Sequence, residues 1–167
     1  MPNNNILDLA ILGLERNDNS ISIADAKAGL LLAFVSLLVS LFPSQITQAT
    51  KILIDCQSSW VVVIASIGLI LLLLGTVTVF IFSFLAVFPR LSPSKPSLIY
   101  FGTIGSLSSC DEFTENFKNI SPLEEITSQL YSTSKILNKK YMLLKISFIS
   151  TFITTIGLII ILLVTTI

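Results

Sequence analysis

The chain has 167 residues, of which 53% are apolar and only 12% are charged, and its formal net charge is zero. A typical soluble domain is about one-quarter charged, so the composition excludes an ordinary soluble enzyme, a basic nucleic-acid binder and a chain kept disordered by its charge. The sequence has no histidine and only two cysteines, which argues against a zinc site or a Cys–His nucleophile. We therefore expect a membrane protein that is not an enzyme and that needs no metal or other cofactor.

Three long stretches of the chain carry no charged residue. They lie between Lys27 and Lys51 (23 residues), between Asp55 and Arg90 (34 residues) and after Lys145 (22 residues). Because an α-helix needs about 20 mostly apolar residues to cross the hydrocarbon core, the pattern predicts an all-α integral membrane protein with three transmembrane helices.

The distribution of basic residues predicts the topology. Nine of the ten Lys and Arg residues lie in the first 27 positions or between Arg90 and Lys145, and short basic segments stay on the cytoplasmic side during insertion. We expect the N-terminus inside and a small, mainly helical cytoplasmic segment between the second and third spans. The predicted segments are an N-terminal amphipathic leader (1–22), a first span (23–42), a periplasmic connection (43–59), a second span (60–88), the cytoplasmic segment (89–144) and a third span (145–167).

The leader and the first span meet at a polar stretch. Asn17–Ser20 favours a break, and Ser22 with Asp25 three residues later resembles a capping box that opens the membrane helix. The alternative is one continuous helix from Ile6. The apolar residues upstream of the break are too few to span a bilayer, so they predict a helix that lies along the inner interface or packs against the other helices. Pro43 is expected to end the first span.

The cytoplasmic segment contains two helix-start signals. Ser97–Gly105 reads as a short strand or an irregular apolar segment, after which Ser109 and Glu112 form a capping-box pattern. The sequence Ser121-Pro122-Leu123-Glu124 predicts the start of a second helix. Because no proline follows Pro122, and Gly157 is the only glycine after it, this helix is expected to continue into the third span as a stalk.

Apolar residues along the stalk form a heptad-like stripe, which predicts packing within the chain or, alternatively, an oligomer interface. The stripe comprises Leu123, Ile126, Leu130, Leu137 and Leu144, with Thr133 and Lys140 as departures. The third span also carries hydroxyl side chains. They predict helix packing, in which each hydroxyl bonds to the preceding turn or to a neighbouring helix; the alternative is that they line an aqueous path. These are Ser147, Ser150, Thr151, Thr154 and Thr155.

Asp25 and Lys27 are the ionisable pair nearest to a membrane core, and we assign them a role in gating. Two residues apart on a helix they point to nearly opposite faces, so each is expected to meet a different partner. The alternative is an acid at the positive end of the helix dipole beside a lysine that snorkels to the interface. Other cations and aromatic rings of the cytoplasmic segment offer phosphate binding and base stacking, although each lysine is also explained as a solvated surface charge. The candidates are Arg90, Lys95, Tyr100, Lys118, Tyr131, Lys135 and Lys139.

Several short motifs follow one another along the chain. They are Ala24-Asp25-Ala26-Lys27-Ala28, Phe88-Pro89-Arg90-Leu91, Ile99-Tyr100-Phe101-Gly102, Glu112-Phe113, Gln129-Leu130-Tyr131 and Lys139-Lys140-Tyr141. In this order they resemble the "AD-x-KA", "FPR", aromatic-glycine, "EF" and stalk motifs of the small transmembrane effectors of Pycsar, the pyrimidine cyclic-nucleotide system of antiphage defence. The resemblance extends over about Ile21 to Thr151.

The resemblance implies a multi-pass protein of the bacterial inner membrane that senses cyclic CMP or cyclic UMP through its cytoplasmic segment. Binding, between subunits of a homo-oligomer, would impair membrane integrity and lead to abortive infection. Two other readings of the sequence stay open, a ligand-independent membrane scaffold that docks a partner protein and a small channel subunit. A nucleotide cyclase encoded next to the gene would favour the effector, whereas ion flux without any nucleotide would favour the channel.

Overall fold

The computed structural model describes residues 2–55, 59–88, 101–118 and 121–166, and within these ranges the chain is helical with no strand. Three of the helices contain stretches long and apolar enough to cross a membrane, namely Asn5–Leu41, Trp60–Val87 and Pro122–Thr165. The predicted all-α membrane fold with three candidate spans is therefore confirmed. The elements are α1 (Pro2–Leu41), α2 (Pro43–Ile54), α3 (Ser59–Val87), α4 (Phe101–Gly105), α5 (Cys110–Lys118) and α6 (Pro122–Thr165).

The chain divides into two compact units. The first unit consists of Met1–Ala24 and Phe88–Lys140, and the second consists of Asp25–Val87 and Tyr141–Ile167. The second unit therefore contains the apolar parts of α1, α3 and α6 together with α2. Its core joins one buried residue of α2 to residues of α3 and α6, namely Ala49, Leu72, Leu158 and Ile161.

Helices α3 and α6 present small or buried side chains at alternating spacings of three and four residues. This is the spacing of helix pairs that pack side by side, and small residues allow membrane helices to approach closely. The buried positions of α3 include Ala65, Gly68, Leu72, Gly75 and Val79, and those of α6 include Ser147, Thr151, Thr154, Leu158 and Ile161.

The break expected at Asn17–Ser20 is wrong, because α1 is one helix from Pro2 to Leu41. Within the first unit, the side-chain amide of Asn17 donates to the Ser134 hydroxyl at 2.7 Å and to the Thr133 hydroxyl at 3.2 Å. Because the Asn17 side chain bonds to another helix, it does not compete for the backbone hydrogen bonds of α1 and so does not interrupt that helix. The capping box expected at Ser22 does not form, since the helix has already begun twenty residues upstream.

The connection between the first two spans contains a helix that the sequence did not predict. Pro43 ends α1 at Leu41, as expected, and also opens α2, where it occupies one of the first two helical positions. Proline is tolerated there because the first turn of a helix needs no backbone N–H donor. Ala49 of α2 is fully buried in the core of the second unit.

Of the stretch Ser97–Gly105, the structure describes Phe101–Gly105, which forms helix α4 and not the expected strand or irregular segment. Residues 97–100 lie outside the described residues. The predicted helix starts are confirmed, with α5 beginning at Cys110 and α6 at Pro122. Helix α6 continues without interruption to Thr165, as the lack of helix breakers predicted.

The heptad-like stripe of α6 packs within the chain. Lys140 and Leu144 are only 7% and 6% exposed, and the other members of the stripe are half-buried. In the first unit, a Cβ atom on Gly13 of α1 would lie 3.1 Å from Cδ1 of Leu130, so the two helices are in close contact there. The stripe therefore packs within the chain at Leu130, Lys140 and Leu144, and an oligomer interface along it stays a prediction.

Candidate functional site

Three of the seven residues predicted to bind a nucleotide share one exposed face of α6. Tyr131, Lys135 and Lys139 are spaced four residues apart, so their side chains lie above one another on successive turns. All three are exposed, and Tyr131 keeps 70% of its surface accessible. We call these three residues the α6 stripe; they are distinct from the apolar heptad-like stripe, which lies at other positions of the same helix. It offers an aromatic face and two ammonium groups to solvent, which is chemistry suited to a base and a phosphate.

The other four candidates do not belong to this stripe. Lys118 is an exposed residue in the last turn of α5, where a positive charge complements the helix dipole. Arg90, Lys95 and Tyr100 lie outside the described residues. Their predicted role in nucleotide binding stays a prediction.

Lys27 of α1 meets an aromatic ring in the second unit. Its ammonium nitrogen lies 5.9 Å from the centre of the Tyr141 ring on α6, within the range of a cation–π interaction. Lys27 is exposed, whereas Asp25, two residues before it, is half-buried. The two side chains therefore occupy different surroundings, as their helical spacing predicted. Tyr141 was not predicted as a partner, because residues so distant in sequence are joined only by the tertiary fold.

The sequence matches the family model of the Pycsar effector protein domain over residues 10–167. The chain belongs to the Pycsar effector family. Membership gives the protein a role as an antiphage defence effector, and its three apolar helices make it a membrane protein. Searches of curated proteins and of solved structures found no match.

The motifs that first suggested this Pycsar effector occupy distinct places in the fold. The pattern around Asp25 and Lys27 lies in the middle of α1, and Glu112-Phe113 lies in the first turn of α5. The pattern around Tyr131 and that around Tyr141 both lie on α6, ten residues apart. The described motifs are therefore spread over both units.

At the start of α5, the Glu112 carboxylate accepts two hydrogen bonds from Ser108. The hydroxyl and the backbone N–H of Ser108 donate to Oε2 of Glu112 at 2.5 and 2.9 Å, and the N–H of Glu112 donates to the Ser109 hydroxyl at 3.1 Å. The Ser108 hydroxyl first and its N–H second lower the pKa of Glu112 below its ordinary value. The Ser109 half of the predicted capping box is thus present, whereas the Glu112 carboxylate bonds to Ser108, one residue before the expected partner.

The hydroxyl side chains of the third span pack inside this effector. Ser147, Ser150, Thr151 and Thr154 are buried, and the Thr151 and Thr154 hydroxyls donate to backbone carbonyls one turn earlier, at 2.9 and 3.0 Å. Such back-bonding satisfies a hydroxyl without water. The packing interpretation of these residues is therefore confirmed in this arrangement of the helices.

Proposed function

We propose that this effector responds to a cyclic pyrimidine nucleotide, cyclic CMP or cyclic UMP, by impairing the integrity of the bacterial inner membrane. Loss of the membrane barrier would stop growth of the infected cell and so cause abortive infection. The protein would act by a change in helix arrangement and would catalyse no reaction. Membership of the Pycsar effector family and the three helices able to cross a membrane support the proposal.

The α6 stripe supports the binding step. A cyclic pyrimidine nucleotide presents one negatively charged phosphate and one flat ring, and these match the ammonium groups of Lys135 and Lys139 and the ring of Tyr131. One exposed helix face cannot enclose a ligand, because Tyr131 is 70% accessible. We therefore propose that a second copy of the chain covers the stripe and completes the pocket, so that the active form is a homo-oligomer. Arg90 and Lys95 are further candidate nucleotide-binding residues in this assembly.

The continuity of α6 is the observation that carries the coupling step. A single helix from Pro122 to Thr165 contains both the stripe and the apolar stretch of the third span. A ligand that binds one arrangement of the helices more tightly than another shifts the population toward that arrangement. Nucleotide binding at residues 131–139 would therefore bias the position of a membrane-spanning helix directly, without a separate sensor domain.

The test is dye release from liposomes that contain the purified full-length protein, with its orientation checked by protease. Cyclic CMP, cyclic UMP, cyclic AMP or buffer is added to the outside. Release with one cyclic pyrimidine, and not with cyclic AMP or buffer, is the expected result and identifies the signal. Equal release in every sample would overturn ligand gating in favour of a channel, and no release from correctly oriented protein would overturn it in favour of a scaffold.

A further inference from the structure

A cleft of about 560 Å³ lies between α1 and α6 inside the second unit. Its size falls within the range of ligand-binding pockets. Each helix supplies four side chains from two successive turns, at positions 27, 30, 31 and 34 of α1 and at positions 141, 144, 145 and 148 of α6. This spacing places all of the contributing side chains of one helix on a single face.

The cleft carries positive charge. Lys27 and Lys145 both line it, together with Tyr141, and none of the described residues that line the cleft is acidic. The ring of Tyr141 holds the Lys27 ammonium by a cation–π contact of 5.9 Å but does not neutralise its charge. Lys27 of α1 and Lys145 of α6 thus bring two positive charges to the same cleft.

The rest of the cleft is apolar. Leu30, Leu31 and Phe34 of α1 face Leu144 and Phe148 of α6 along it. Phe148 also makes an edge-to-face contact with Phe152, 5.1 Å between ring centres, which extends the apolar surface one turn further along α6. The cleft thus combines two lysines with an apolar wall, and the apolar surface continues along α6 within a predicted span.

We propose that this cleft binds an anionic phospholipid. The phosphate would lie between the ammonium groups of Lys27 and Lys145, and an acyl chain would run along Phe34 and Phe148. Charge complementarity and the apolar wall together favour a charged amphiphile over a soluble nucleotide, since the sugar hydroxyls and base edges of a nucleotide would find almost no polar partners along the leucines. Lys27 of the Ala24–Ala28 motif is thereby assigned to a lipid headgroup.

Native mass spectrometry of the full-length protein in detergent tests this site. The probes are phosphatidylglycerol and phosphatidylcholine with identical acyl chains, and glycerol 3-phosphate as a headgroup without chains. We expect phosphatidylglycerol to bind about tenfold more tightly than phosphatidylcholine, because both lipids carry a phosphate but the choline cation offsets its charge and is repelled by the two lysines. Glycerol 3-phosphate should bind far more weakly than the lipid, because it cannot use the apolar wall.

Matched variants locate the binding. The double variant Lys27→Ala/Lys145→Ala should lose the preference for phosphatidylglycerol, whereas Lys27→Arg/Lys145→Arg should keep it because the charges remain. Lys51→Ala, which removes an exposed lysine of α2, should bind lipid like the wild type. The proposal would be overturned by equal binding of the two lipids or by an unchanged preference in the double Ala variant. It would also be overturned if glycerol 3-phosphate bound as tightly as the lipid, or if a lysine-dependent dimer formed in place of the lipid adduct. None of these readouts depends on a nucleotide.

Discussion

Gly75 of α3 lies directly against the backbone of Thr154 of α6. A Cβ atom on Gly75 would be 2.8 Å from the Thr154 nitrogen and would also collide with its hydroxyl. The relationship is reciprocal one turn further on, where a Cβ atom on Gly157 of α6 would be 2.6 Å from the backbone nitrogen of Leu72. Two predicted spans of this effector therefore meet backbone to backbone in the second unit, which is how small residues join membrane helices.

Replacing either glycine with alanine should force α3 and α6 apart. We expect Gly75→Ala and Gly157→Ala each to cost about 1–3 kcal/mol, as for other overpacked interiors, and to lower the thermal unfolding midpoint in detergent. Gly29→Ala is the matched control, since Gly29 is also helical and has open space around it. Unfolding midpoints as high in the Gly75 and Gly157 variants as in the Gly29 variant would contradict the close contact.

Asn17 should stabilise the first unit by joining α1 to α6. Asn17→Ala removes the donor to the Ser134 and Thr133 hydroxyls, at a cost of about 1 kcal/mol for the lost hydrogen bonding. Amide hydrogen exchange of the full-length protein should become faster in the upstream part of α1. Asn19→Ala, which changes an exposed asparagine of the same helix, should leave exchange unchanged; equal effects of the two variants would remove the specific role of Asn17.

The pH dependence of the α5 start follows from the lowered pKa of Glu112. Because folding lowers this pKa, the ionised carboxylate stabilises the folded form at pH values above its ordinary pKa, and this contribution is lost as the pH falls through the lowered value. In a carbon NMR titration of the full-length protein in micelles, Ser108→Ala should raise the Glu112 pKa toward its ordinary range. Ser109→Ala removes a bond to the Glu112 N–H and keeps both carboxylate donors, so it should shift the pKa less; the reverse order would refute the assigned cause.

Asp25 and Lys27 should matter for toxicity more than for membrane insertion. Both lie in the Ala24–Ala28 motif by which the chain resembles its family, and Lys27 also lines the cleft of the second unit. Asp25→Ala and Lys27→Ala should each restore growth of cells that express the effector and its signal, with unchanged protein in the membrane fraction. Asp18→Ala, at an exposed site of the same helix, should remain toxic. Full toxicity of both motif variants would exclude these residues from the mechanism.

The α6 stripe should set the sensitivity to nucleotide. Tyr131→Ala and Lys135→Ala should each raise the nucleotide concentration for half-maximal dye release about tenfold, the scale of a lost stacking or charged hydrogen-bond contact. Tyr131→Phe keeps the ring and Lys135→Arg keeps the charge, so these variants should respond nearly like the wild type. A half-maximal concentration unchanged by the Ala substitutions would place the nucleotide elsewhere on the protein.

Features that depend on a few neighbouring residues could be predicted from the sequence. Charge-free stretches predicted the three candidate spans, because the length and hydrophobicity of a helix are local properties. Ser121 and Pro122 predicted the start of α6, and Ser109 with Glu112 predicted that of α5, because helix caps are formed by residues within one turn. The motifs along the chain also indicated the family, which the match over residues 10–167 then showed.

The tertiary structure decided the features that depend on distant residues. Asn17 was expected to break a helix, but its amide bonds to α6, and no local pattern encodes that partner. The same holds for Lys27 beside Tyr141 and for Gly75 against Thr154. Local sequence determines which segments become helices, because backbone hydrogen bonding and capping act over a single turn. The packing of side chains from separate helices determines which helix faces meet. It also places Lys27 beside the apolar cleft between α1 and α6.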